Sequence, residues 1–188
     1  MTNLMICKPV FVFLFAMAFL GSAYSQNAKP KKIGDLKTYH EENSIGISQK
    51  EVLASINKND SKDNSLHHEF VELKSSGNHF KDKHNNMMLK FAGNSKDVFS
   101  VGLITTPKSY KNRETQKAFV RCVKRISVTI DKDLADKASE FVRKHAADVT
   151  DEKIKSPKAF KWKKLHVGIH RHVYPDDVVT LEFLIRLN

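Results

Sequence analysis

Cysteine is nearly absent from this 188-residue chain, Cys7 and Cys122 being its two. A fold stapled by several disulfides is therefore excluded, and stability has to come from packing. Glycine (7) and proline (5) are scarce as well. No Gly-x-Ser-x-Gly elbow and no glycine-rich phosphate loop occurs, so neither a nucleophile-elbow hydrolase nor a P-loop enzyme is indicated. Arginine is the rare cation, supplying six of the 32 basic residues. Lysine is a point charge without the planar fork that reads bases and phosphates, so sequence-specific DNA recognition is not what this composition points to. Carboxylates fall short of cations, 21 against 32, leaving a net charge of +11. That excess favours attraction to polyanions and says nothing about fold.

Long apolar runs are missing too, with one exception. Val10 to Leu20 is unbroken for eleven residues, whereas a bilayer-spanning helix takes about 20. Lys8 precedes the run and Gly21-Ser22-Ala23-Tyr24-Ser25 follows it, the pattern of a secretory signal peptide cut before Gln26. The expected mature protein is periplasmic or secreted, has no transmembrane anchor after cleavage, and keeps Cys122 as its one thiol.

Residues 26–47 are polar, with apolar side chains too scattered to show a period, and read as a mobile arm. A single domain is expected over 48–188, with a looser boundary at 57–65, where apolar side chains are nearly absent. Ser48-Gln49-Lys50-Glu51 has the capping-box form, and Val52, Leu53 and Ile56 share a helical face, so a short helix is expected near 49–57. Strands are expected at 66–73, 87–92 and 98–105. A further strand is expected at 119–130. There Val120, Cys122, Ile126, Val128 and Ile130 share one parity, and Arg121, Arg125, Ser127 and Thr129 the other. Cys122 falls on the inward side as a core residue.

A helix is expected over 131–147, capped by Asp131, with acids early, Arg143 and Lys144 late, and a stripe of Leu134, Ala138, Phe141, Val142 and His145. The last residues form a hairpin around Tyr174-Pro175-Asp176-Asp177. Leu165, Val167, Ile169 and Val173 share a parity, as do Val179, Leu181, Phe183, Ile185 and Leu187. For both odd rows to face one core, position 174 pairs with 178, His170 with Glu182 and His166 with Arg186. The expected fold class is α+β: a mainly antiparallel, twisted sheet of about five to six strands on one main helix, with a C-terminal β-hairpin and a short N-terminal helix. Residues 124–147 also resemble the strand and first helix of ribbon-helix-helix DNA-binding proteins. The second long helix of that fold is missing before Pro157, so no function is carried over from the likeness.

The most unusual window is 153–175, which is rich in lysine and histidine and free of acids. Lys153, Lys155, Lys158, Lys161, Lys163, Lys164 and Arg171, with Trp162 beside them and Arg186 across the hairpin, make a candidate polyanion-binding surface. A solvated, lysine-guarded strand edge is the bland explanation. His166, His170 and His172 share one side of a strand, and Glu182 faces them, so a divalent metal such as zinc is the alternative ligand. The surrounding cations oppose a dication. No constellation for nucleophilic catalysis is visible, and no other cofactor is indicated. The leading expectation is an exported, non-enzymatic binding or interaction protein whose basic hairpin face contacts an anionic partner such as polysaccharide or lipid headgroups. The alternatives are a metal-binding protein or metal-dependent enzyme built on the histidines, and a structural partner protein of the cell envelope.

Overall fold

A computed structural model describes residues 43–58, 69–73, 78–83, 86–150 and 157–188, all within one compact unit spanning 35–188. The signal-peptide segment, most of the arm, Lys153 and Lys155 lie outside the described residues.

The domain is α+β. Seven strands, β1 (Phe70–Glu72), β2 (His79–Asp82), β3 (Met87–Gly93), β4 (Val98–Thr105), β5 (Lys158–Trp162), β6 (Leu165–Val173) and β7 (Val179–Leu187), form one sheet in the order β1-β2-β3-β4-β7-β6-β5. Every neighbouring pair is antiparallel. The helices are α1 (Gln49–Ile56), α2 (Pro107–Tyr110), α3 (Arg113–Ile130) and α4 (Lys132–Thr150). Strands 87–92 and 98–105 stand where the apolar runs put them; of the expected strand at 66–73, Phe70–Glu72 form β1, and 66–68, like 59–65 of the expected looser boundary, lie outside the described residues. β2 and β5 were not anticipated, because each has too few apolar residues to show a period.

The expected strand at 119–130 is instead the larger part of α3. Phe119 and Val123, which a strand would turn to water, are 0 % exposed, whereas Val128, which it would bury, is 41 % exposed. The buried positions Thr115, Ala118, Phe119, Cys122, Val123 and Ile126 recur at three and four residues, the helical period. Asn112 starts the helix, its side chain accepting the N–H groups of Glu114 and Thr115 at 2.8 and 3.3 Å. The main helix is therefore one of two, and α3 and α4 form an antiparallel pair tied by Lys124 and Asp136 at 2.7 Å. Asp131 sits between them, and its carboxylate accepts the Asp133 N–H at 2.9 Å, as a cap for α4 should. The strand half of the ribbon-helix-helix likeness disappears with this change.

Other local expectations hold. Ser48 and Glu51 make both bonds of the capping box, at 3.3 and 2.7 Å, and the Ser48 N–H and hydroxyl, donating to the Glu51 carboxylate at 2.7 and 2.8 Å, hold it below its ordinary pKa. The hairpin has the expected register, with Val173 opposite Val179, His170 opposite Glu182 and His166 opposite Arg186. Tyr174 N–H donates to the Val178 carbonyl at 2.9 Å to close its turn. The arm gives way to packed chain before residue 48. Ile45 and Ile47 are each 4 % exposed and bond the Val98 backbone at 2.8 and 3.2 Å.

The helices cover one face of the sheet. Leu89, Phe91, Val101, Leu103, Val167, Ile169, Leu181, Phe183 and Ile185 point to that side and meet Phe119, Val123 and Ile126 of α3 and Leu134, Ala138, Val142 and Ala146 of α4. Cys122 lies in the same core, where burial pushes its thiol up to about 12 and makes it inert. Among the described residues no helix is long and apolar enough to cross a membrane.

Candidate functional site

Among the described residues no helix covers the opposite face of the sheet, and the register states which side chains share it. Because successive residues alternate sides, the strand pairings align rows across the sheet. One row holds His79, Lys90, Gly102, Leu184, Gly168 and Ala159 in order from β2 to β5. The next holds Lys81, Met88, Ile104, Glu182 and His170. A third holds Ala92, Ser100, Arg186, His166 and Lys161, and His172 and Thr180 pair at one end. Among the described strand residues of this face, Lys81, Lys90, Lys161 and Arg186 are cationic. His79, His166, His170 and His172 join them, and Glu182 is the one carboxylate.

Two glycines set the floor of this face. A Cβ on Gly102 would lie 2.6 Å from Glu182 Oε1, and one on Gly168 would lie 3.4 Å from His166 Nε2. Each glycine thus leaves room for a polar side chain of the adjoining strand row to fold over the backbone. Glu182 uses that room to reach His170, Oε2 standing 3.1 Å from Nε2. Their side chains are 16 % and 28 % exposed, so the pair is sheltered but reachable. At the other side of the sheet His79 stands opposite Lys90. Burial first, and that neighbouring charge second, hold the His79 imidazole below its ordinary pKa.

The structure divides the sequence-derived basic window. Lys161, Arg186, His166, His170, His172 and Glu182 meet on the open face. Lys158 and Trp162 pair with Ile169 and Leu165 and so point to the helix side. Trp162 donates its indole N–H to Asp131 at 3.2 Å and lies under Lys137, whose Nζ is 4.9 Å from the ring centroid. Lys163, in the tight turn after β5 with φ 52°, pairs with the same carboxylate at 2.5 Å. The Lys163 and Trp162 hydrogen bonds hold the Asp131 carboxyl down to about 2. Lys164, exposed in that turn, lies at the edge, its carbonyl accepting the Asn188 N–H at 3.0 Å. Arg171 lines a cavity of about 620 Å³ at the end of the sheet with Lys108, Lys111 and Asp177. Lys81, Lys90 and His79 belong to the open face and were missed, because strands β2 and β3 had to be registered on the rest of the sheet before their charges could be placed beside the hairpin.

His170 and Glu182 form a two-member set. Among the described residues no group of three or more His, Cys, Asp or Glu side chains is close enough to hold a metal ion. What the open face offers chemically is a broad array of hydrogen-bond donors and positive charge.

No known family matches the sequence, and neither a curated protein nor a solved structure matches the chain.

Proposed function

We propose that this is an exported, periplasmic or secreted, non-enzymatic binding protein whose open sheet face contacts an acidic polymer such as an anionic polysaccharide. The observation that carries the reading is the composition of that face: four lysine or arginine side chains and four histidines against one carboxylate, among its described strand residues. From β2 to β5 the array crosses six strands spaced ~4.8 Å apart, roughly 24 Å. That length suits an extended chain of charges better than a compact solute. Lysine on a flat face also suits it, since a polymer of repeating anions needs attraction at many points more than one fixed geometry.

The test is affinity for a defined heparin oligosaccharide as a function of salt. Binding is expected to weaken steeply as salt rises, because exposed charges are screened and counterions compete. Lys90→Gln, Lys161→Gln and Arg186→Gln together should lower affinity on the order of tenfold or more and flatten the salt dependence. Salt-independent binding, or a triple variant that binds as the parent does, would sink the reading.

A further inference from the structure

On the helical layer, away from the open face, lies a groove of about 480 Å³ into which Arg113, Lys117, Arg121 and Lys124 of α3 and Arg143 of α4 project. Tyr110 and Val120 are among its other walls and are 5 % and 9 % exposed. No lining residue is a carboxylate. Lysines outnumber arginines more than fourfold in this chain, yet three of its six arginines meet here. Lysine alone suffices for a soluble surface. The guanidinium adds a planar fork that matches phosphate oxygens two at a time.

The placement runs against the helix's own electrostatics. Arg113, Lys117 and Arg121 follow one another at four residues, with Lys124 three further on, and like charges at these spacings repel. Arg113 and Lys117 also occupy the first turns of α3, where the macrodipole is already positive, while its last turn has no basic residue. Packing does not require this arrangement, since Arg113, Lys117, Lys124 and Arg143 are exposed. Asp136 offsets one end, bonding Lys124 at 2.7 Å, and its carboxyl is held low by Lys124 and, more weakly, by Arg143. Arg121 donates to the Lys58 carbonyl at 3.3 Å, which helps orient its guanidinium. An anion in the groove would relieve the repulsion along the rest of its length. From Arg113 to Lys124 the helix advances roughly 16 Å at 1.5 Å per residue, more than a single phosphate covers.

We infer that this groove binds a soluble anion carrying two or more phosphate groups, recognised by the guanidinium forks of Arg113 and Arg143. This site is separate from the open sheet face and does not depend on it.

Calorimetric titration with tripolyphosphate at physiological salt tests the inference on the full chain. One-site binding is expected. Arg113→Lys with Arg143→Lys keeps the charge but removes both forks, and should lower affinity at least tenfold while leaving heparin binding and the melting curve in place. The Lys90→Gln, Lys161→Gln, Arg186→Gln variant should bind tripolyphosphate as the parent does. Equal tripolyphosphate affinity in the arginine-to-lysine variant, or loss in the sheet-face variant instead, overturns the assignment. As a readout that needs no variant to fold, the side-chain N–H resonances of Arg113 and Arg143 should move on titration of the parent. If they stay fixed, the inference fails.

Discussion

The two faces of the sheet are made from alternate residues of the same strands, yet they obey different rules. On the covered face Phe183, Leu103, Ile169 and Ile185 are 0 % exposed, and each fits against helix side chains at close-packed density. On the open face the neighbouring positions are Leu184, Gly102, His170 and Arg186, of which only Gly102 is fully buried. The covered face sets register, because a one-residue slip would turn its whole apolar row to water. The open face is thereby released to carry charge. Substituting two consecutive residues breaks the comparison most directly. Phe183→Ala should cost about 3–5 kcal/mol, through lost burial and a cavity. Leu184→Ala should cost about 1 kcal/mol. Denaturant titration with unchanged slope would measure both, and equal costs would mean that the open face is packed over in the native protein.

Glycine gives a smaller contrast between backbone and side chain. Gly93 ends β3 at a register shift with φ 105°, and a Cβ there would meet the Asp97 carbonyl oxygen at 2.3 Å. Neither the angle nor that backbone atom can give way, so Gly93→Ala should destabilise by about 2 kcal/mol. At Gly102 the obstacle is the far end of Glu182, which can rotate. Gly102→Ala should therefore cost less than about 1 kcal/mol while moving the carboxylate away from His170. A crystal structure or nuclear Overhauser contacts of that variant with the 3.1 Å pair intact would show that the glycine is not what admits Glu182.

The hairpin, the β3 and β4 pair, the α1 cap and the fold class were legible in the sequence, because each is written in local chemistry. Alternation, a capping box and a turn tetrapeptide need no knowledge of distant residues. Segment 119–130 was not, because its β-branched Val120, Val123, Ile126, Val128 and Ile130 favour a strand locally while α4 and the sheet reward a helix. The start signal for that helix, Asn112 with Glu114, lies before the segment that looked like a strand. That one misreading also concealed the arginine groove. Strand parity separates Arg121 from Lys124, whereas helical spacing lines both up with Arg113 and Lys117. Half of the open face was hidden for a different reason. Lys81 and His79 on β2 reach the hairpin's side only through three successive strand pairings, and Lys90 on β3 through two, which no local pattern encodes.

The smallest effect separates the faces by pH. On the open face His79 has its pKa depressed by burial and by Lys90. The unfolded chain therefore takes up that proton more readily than the native one between the native value and the ordinary 6.5. Stability rises with pH wherever the unfolded state binds more protons. The His79 contribution is thus complete above about pH 6.5 and is lost as pH falls below it. Carboxylates do not obscure this window. Asp131, held at about 2 against an ordinary 3.8, gives a contribution that is present above its ordinary value and lost only as pH falls through about 2. Glu51 and Asp136 are likewise lowered from 4.5 and 3.8, so they too act in stronger acid. Between pH 7 and pH 5 the parent should lose more thermal stability than His79→Gln, whose side chain cannot titrate. If both lose the same amount, neither burial nor the positive charge of Lys90 holds the His79 imidazole down, and the open face behaves as open solvent at β2.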